Sequence, residues 1–185
     1  MRIVALCGSL RAASINAALL RAAVRLAPPG VTVSVAAGLG ALPLFNPDDS
    51  EPPPAVVAAF HAQVAAADAL LFASPEYAHG VSGTIKNALD WLVGFEPFAY
   101  KPVAVLNASP RARHADAALK ETLRTMAAVL VEDASISLPL LGARLGTEAM
   151  VATPSVALPL RAALAALAAA VTGRPPGPGA SFALE

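Results

Sequence analysis

Short runs that are apolar throughout alternate along this chain with longer, alanine-rich segments of helical period. Such alternation is the pattern of β–α units feeding a parallel sheet rather than of a helical bundle. Uninterrupted apolar runs, with no polar face, predict strands buried on both sides over residues 2–7, 31–35, 69–73, 103–108 and 135–138. Helices are predicted over residues 15–26, 55–66, 83–92, 115–129 and 155–171. These elements fit an α/β fold with a doubly wound, five-stranded parallel sheet of strand order 2-1-3-4-5. Pro47 to Pro54 forms a polar, proline-dense connection expected on the surface, with Pro52 to Pro54 placed to start the next helix. Residues 1–172 are expected to form a single domain, and the Pro/Gly-rich residues 173–185 a tail.

Composition narrows this picture by exclusion. A chain of 185 residues is one domain's worth, long enough for a sizeable core. Thirteen basic and thirteen acidic residues cancel, leaving no field to steer nucleic acid or an anionic membrane. Any anion must therefore be held by a local site. Hydrophobic content is 56%, yet much of the excess is alanine and charges such as Asp68 and Arg161 interrupt the long apolar stretches, so no transmembrane span is expected. The apolar N-terminus runs directly into Gly8 and Arg11, which favours a first strand over a signal peptide. Cys7, the single cysteine, has no partner for an internal disulfide and no metal-ligating cluster around it. A cytoplasmic, reducing compartment and no bound metal are expected.

Candidate chemistry lies in the loops at the predicted strand ends. Gly8-Ser9-Leu10-Arg11-Ala12-Ala13-Ser14-Ile15-Asn16 follows the first strand and leads into a helix. A helix N-terminus presents free backbone N–H groups and the positive end of its dipole, and Ser9, Ser14 and Asn16 add donors that suit a phosphate. Arg11 can cap the charge from outside. The plainer reading is that Ser14 is an N-cap, Gly8 a turn residue and Arg11 a surface charge. Neither the dinucleotide fingerprint nor a Walker loop is present, so a mononucleotide phosphate fits better than a pyrophosphate. The stretch from Ser74 to Trp91 places Pro75, Glu76 and Tyr77 in a loop after a fully buried strand. Open α/β sheets hold planar ligands at such a position. A third loop, Asn107-Ala108-Ser109-Pro110-Arg111, should line the same crevice, with Arg111, Arg113 and His114 at its mouth.

Taken together, the first two loops resemble the NADPH-dependent FMN reductase family. Its members look like Gly-Ser-Leu-Arg-x-x-Ser-x-Asn near the start and Pro-Glu-Tyr-Asn-x-Ser-x-Pro-Gly-x-x-Lys-Asn-Ala-x-Asp-Trp in the middle. The matches are Gly8, Ser9, Leu10, Arg11, Ser14 and Asn16, then Pro75, Glu76, Tyr77, Gly83, Lys86, Asn87, Ala88, Asp90 and Trp91. Leu42-Pro43-Leu44-Phe45-Asn46 is similar to the family's connection after the second strand, so the resemblance covers most of residues 1–110. It implies a flavodoxin-like fold binding FMN, with the phosphate on the loop carrying Ser9, Arg11, Ser14, Ile15 and Asn16, and the ring against Pro75, Glu76 and Tyr77. Ala78, His79 and Ser109 complete the expected cofactor-binding set.

Three positions depart from the family pattern: Ala78 stands for asparagine, Gly80 for serine and Ser82 for proline. Ala78 lacks an amide's hydrogen bonds, so one edge contact is expected to be missing; His79 replaces that polar function or else faces solvent. Lys86, Asn87, Asp90 and Trp91 are expected to tie the loop to its helix or to form a subunit contact. Glu76 is expected to shape the loop rather than act as an acid.

The activity implied is an NAD(P)H oxidoreductase in which the flavin carries the chemistry and no catalytic side chain is needed. NADPH or NADH is the co-substrate, and the second acceptor is a small molecule such as flavin, a quinone, an azo compound or an oxyanion. The resemblance also implies a homodimer or homotetramer. Two other readings stay open: a flavodoxin-like electron carrier, and a non-catalytic member that binds FMN or a partner.

Overall fold

Every residue of the third strand is buried, and around it a six-stranded sheet is assembled in the computed structural model, which describes residues 1–173. Apart from Gly173, the expected tail lies outside the described residues. The strands are β1 (Arg2–Cys7), β2 (Thr32–Val35), β3 (Ala69–Ala73), β6 (Pro102–Asn107), β7 (Val129–Leu130) and β8 (Ile136–Ser137). Two further short strands, β4 (Glu76–Tyr77) and β5 (Gly80–Val81), form a separate antiparallel hairpin. The sheet runs β2-β1-β3-β6, with β7 and β8 both parallel to β6. This is the expected 2-1-3-4-5 order, with the fifth position shared by two short strands.

Alternation along the strands builds two cores from one sheet. Ile3, Ala5, Leu71, Ala73, Ala104 and Leu106 face one side, where they pack with α1 (Ile15–Leu26), α5 (Thr147–Ala152) and α6 (Pro154–Thr172). Val4, Leu6, Leu70, Phe72, Val103 and Val105 face the other, against α2 (Ala55–Ala65), α3 (Gly83–Asp90) and α4 (Arg113–Thr125). Each fully buried side chain of this size contributes about 1.5–3 kcal/mol over its exposed state, which is why the strands lack a polar face. α6 is long and apolar enough to cross a membrane by length and composition. It buries Val156, Leu160, Leu164 and Leu167 in the first core.

Three local differences from the sequence reading have physical causes. The predicted helix over 115–129 stops at Thr125 because Ala127 adopts a left-handed conformation, φ 61°, and the chain turns into β7. An alanine pair there carries no breaker signal. The predicted strand over 135–138 shortens to β8, because a helical turn at Glu132–Ala134 interrupts the fifth strand position. Ser135 repairs the ladder: its Oγ accepts from the Val105 amide at 3.1 Å and donates to the Val131 carbonyl at 3.0 Å. The third difference is α5, six residues long and separated from α6 only by Thr153, which the sequence reading does not predict: its last helix begins at residue 155.

Candidate functional site

In this strand order the chain leaves β1 toward β2 and then returns past β1 to β3, so the loops after β1 and β3 diverge and open a crevice between them. That crevice is a cleft of about 480 Å³, lined by four loops at the carboxyl ends of β1, β3, β6 and β8. The volume is in the range of sites for a small cofactor.

The first loop supplies the end of the cleft whose groups could hold an anion. Ser14 caps α1 from an extended conformation, its Oγ accepting from the Ala17 amide at 3.2 Å. The hydroxyl proton stays available for a ligand, and the first-turn amides have no intrahelical acceptor. The cap and phosphate readings of Ser14 are therefore compatible. Asn16 is only 4% exposed, and its Oδ1 has no hydrogen-bond partner among the described residues. A buried polar atom left alone costs about 1–3 kcal/mol, so this oxygen calls for a donor from something bound. Ser9, Arg11, Ser14, Ile15 and Asn16 all line the cleft.

The second loop is more ordered than the sequence implies. Glu76 and Tyr77 pair with Val81 and Gly80 across a two-residue turn at Ala78 and His79. Both turn residues are left-handed, φ 48° and 62°, the geometry of the tight hairpin turn that asparagine and glycine favour. The asparagine of the family pattern at the position of Ala78 is thus explained by backbone conformation. Ala78 and His79, expected in contact with the ligand, are not among the cleft residues; they form the outer corner of the hairpin. The His79 ring instead stacks on His114, centroids 4.3 Å apart. Glu76 places its carboxylate at the start of α4, Oε2 accepting from the Ala115 amide at 2.8 Å, so it anchors the hairpin to that helix.

Gly8 sets the spacing between these two loops. Its amide donates to the Ala73 carbonyl at 2.8 Å. A side chain there would meet Ser74 Oγ at 2.4 Å and Ser82 Oγ at 2.7 Å. Those hydroxyls bond to each other at 3.2 Å, and Ser82 caps α3 by accepting from the Ile85 amide. Further along α3, Asn87 holds the loop at residues 42–46: its Nδ2 donates to the Pro43 carbonyl and its Oδ1 accepts from the Phe45 amide, each at 2.8 Å. Trp91 Nε1 donates to the same Pro43 carbonyl at 2.9 Å. Lys86 and Asp90 form a surface ion pair at 2.6 Å. None of these four lines the cleft.

Pro75, Glu76, Tyr77 and Ser109 join the first-loop residues around the cleft. The third loop is held by Asn107, which is 6% exposed; its Oδ1 accepts from the Ser109 amide at 2.9 Å. Sequence reasoning missed Asn107 as an organiser and missed the fourth loop, where Leu141, Gly142 and Arg144 reach the cleft. The predicted strand over 135–138 already puts this segment after a strand end, but no motif within it marks Leu141, Gly142 or Arg144 as cleft residues. Among the described residues, no three His, Cys, Asp or Glu side chains gather to hold a metal ion.

The family model described as NADPH-dependent FMN reductase matches residues 1–140. An NAD(P)H-dependent FMN reductase of Pseudomonas aeruginosa is 43% identical over 113 residues, 59% of this chain and 60% of that protein. A quinone reductase of Escherichia coli is 35% identical over 113 residues, with the same shares of each chain. The chain thus spans about 60% of the length of these curated relatives. Among solved structures, a flavoenzyme NAD(P)H:(acceptor) oxidoreductase from Paracoccus denitrificans superposes with a TM-score of 0.76 at 26% identity, over 92% of this chain and 97% of that one.

Proposed function

Because this chain belongs to the NADPH-dependent FMN reductase family, we propose that it binds FMN in the four-loop cleft and uses it to oxidise NAD(P)H at the expense of a small-molecule acceptor. The observation that carries the proposal is the pairing, within one cleft, of a helix N-terminus bearing the unpartnered Asn16 Oδ1 and a Pro75–Tyr77 wall. FMN has complementary parts: a phosphate, hydroxyls along its ribityl chain, and a flat amphipathic ring.

The residues present fit the cofactor. Ser9, Ser14 and the amides of Ile15 and Asn16 donate to the phosphate, with Arg11 neutralising its charge. The Asn16 amide offers Oδ1 to a hydroxyl and Nδ2 to the phosphate. Pro75 and Tyr77 supply an apolar wall for the ring, and loop amides with Ser109 supply polar contacts at its edge. Glu76 fixes that wall by anchoring the hairpin to α4. Ala78 and His79 act through the turn that positions Tyr77.

Bound there, FMN would supply the redox chemistry between NAD(P)H and the acceptor. The side chains bind and orient, and no acid or base is required of them. Tyr77 is 55% exposed, in keeping with a wall that leaves the site open to a co-substrate. A quinone or a flavin is the favoured acceptor, in keeping with the names of the relatives. The same reading carries a homodimer or homotetramer and a reducing, cytoplasmic location, in keeping with exposed Leu44 and Val93 and with the single thiol of Cys7.

The binding claim is tested by titrating FMN into the protein and following flavin fluorescence. A saturable change at one FMN per chain is expected. Arg11→Ala should weaken it by about 10- to 100-fold, the worth of a charge-assisted hydrogen bond, with the folding transition unmoved. Equal affinity in the variant would remove Arg11 from the phosphate site.

A further inference from the structure

We propose that His114 is a positioning residue for the flavin wall: stacked on His79, its ring clamps the tip of the β4–β5 hairpin and so fixes where Tyr77 stands. The proposal rests on the reading of the cleft as an FMN site.

The hairpin does not hold its shape by itself. Two strands of two residues each are marginal without outside support. The turn between them needs two left-handed residues, a task that Asn-Gly performs best. Here Ala78 and His79 perform it, at φ 48° and 62°. Side-chain-bearing residues keep that conformation where neighbouring structure fixes them. Tyr77 is exposed, so packing in the core does not fix it either.

The outside support comes from α4, which packs against both hairpin strands. At the base of the hairpin, Ser74 Oγ bonds to Ser82 Oγ at 3.2 Å, and Glu76 accepts from the Ala115 amide at 2.8 Å. This second contact serves α4 as well, because Ala112 at its N-cap offers no side-chain acceptor. At the tip, the rings of His79 and His114 stack with centroids 4.3 Å apart and planes 23° from parallel. Both histidines are exposed, and neither makes a hydrogen bond or ion pair among the described residues, so the stack is what orders the two rings. Tyr77 lies between these anchors, with Glu76 immediately before it and His79 two residues after. Without the stack the tip is free to open while the base stays tied. The role asks for a ring at position 114 and makes no use of its proton.

The hairpin is read first without ligand, by amide hydrogen exchange across residues 76–81 of the flavin-free protein. His114→Ala and His114→Gln should each speed that exchange about three- to tenfold, the worth of one aromatic pair, whereas His114→Phe should keep the parental rate. FMN affinity should follow the same order, about three- to tenfold weaker in His114→Ala and His114→Gln and parental in His114→Phe, with the denaturant midpoint unmoved in all three. Placing Asn-Gly in the turn through Ala78→Asn with His79→Gly should make His114 dispensable, so that His114→Ala in that background alters neither exchange nor affinity. Parental exchange in His114→Ala overturns the clamp, as does His114→Gln behaving like His114→Phe, or a loss that persists in the Asn-Gly background. Faster exchange with unchanged FMN affinity overturns the link to the flavin and leaves the FMN reading standing. A parent protein that binds no FMN overturns that reading, and the exchange rates still decide the clamp.

Discussion

Gly8→Ala is expected to destabilise the fold by about 1–3 kcal/mol, the cost of forcing a methyl group into a packed site, and to weaken FMN binding more than Arg11→Ala does. The added carbon would sit 2.4 Å from Ser74 Oγ and 2.7 Å from both Ile85 Cγ1 and Ser82 Oγ. Rotating one hydroxyl does not relieve this, because Ser74 and Ser82 are bonded to each other and Ser82 caps α3. Relief has to come from moving the first loop away from the second. A single substitution thereby misplaces both the proposed phosphate loop and the proposed ring wall, whereas Arg11→Ala removes one proposed contact from an intact frame. Urea unfolding and an FMN titration on the same preparation separate the two effects. A Gly8→Ala variant with parental affinity would show that the spacing of the loops is not what holds the cofactor.

Trp91→Ala is expected to cost about 3–5 kcal/mol, the range for removing a large buried aromatic side chain. Trp91 is 4% exposed, meets Phe45 edge-on with centroids 5.0 Å apart, and donates from Nε1 to the Pro43 carbonyl. Its role is to join α3 to the loop at residues 42–46, a task it shares with Asn87. Trp91→Phe keeps most of the apolar contact and loses the hydrogen bond, so it should cost only about 1 kcal/mol from that bond plus a small packing loss. Denaturant midpoints of the two variants check the ratio. FMN affinity measured well below the unfolding transition should change little in Trp91→Phe, since the ring does not line the cleft.

The sheet was legible because β1, β3 and β6 are buried on both faces and so read as unbroken apolar runs. Their order followed from the alternation with helices. The anion loop was legible because glycine, hydroxyl and amide residues cluster between a strand and a helix, and Ser9, Arg11, Ser14, Ile15 and Asn16 do meet in one cleft. The hairpin was not, because its turn at Ala78 and His79 is left-handed without the asparagine or glycine that announces one. Ala78 and His79, included in the expected cofactor-binding set from the family resemblance, lie at that turn and outside the cleft lining. Arg144 escaped notice for a different reason: its place beside the cleft depends on a fifth strand position built from two separate pairs of residues, a tertiary arrangement with no local pattern. Asn107 and Glu76 act through hydrogen bonds to neighbouring backbone, which composition does not reveal.

The central claim, that this cleft holds FMN where NAD(P)H can reduce it, is tested most directly by adding NADPH without oxygen to the FMN-loaded protein and following flavin absorbance. Stoichiometric bleaching at one FMN per chain is expected, with the absorbance restored when a quinone is added. Persistent flavin absorbance in the presence of excess NADPH and NADH would contradict it.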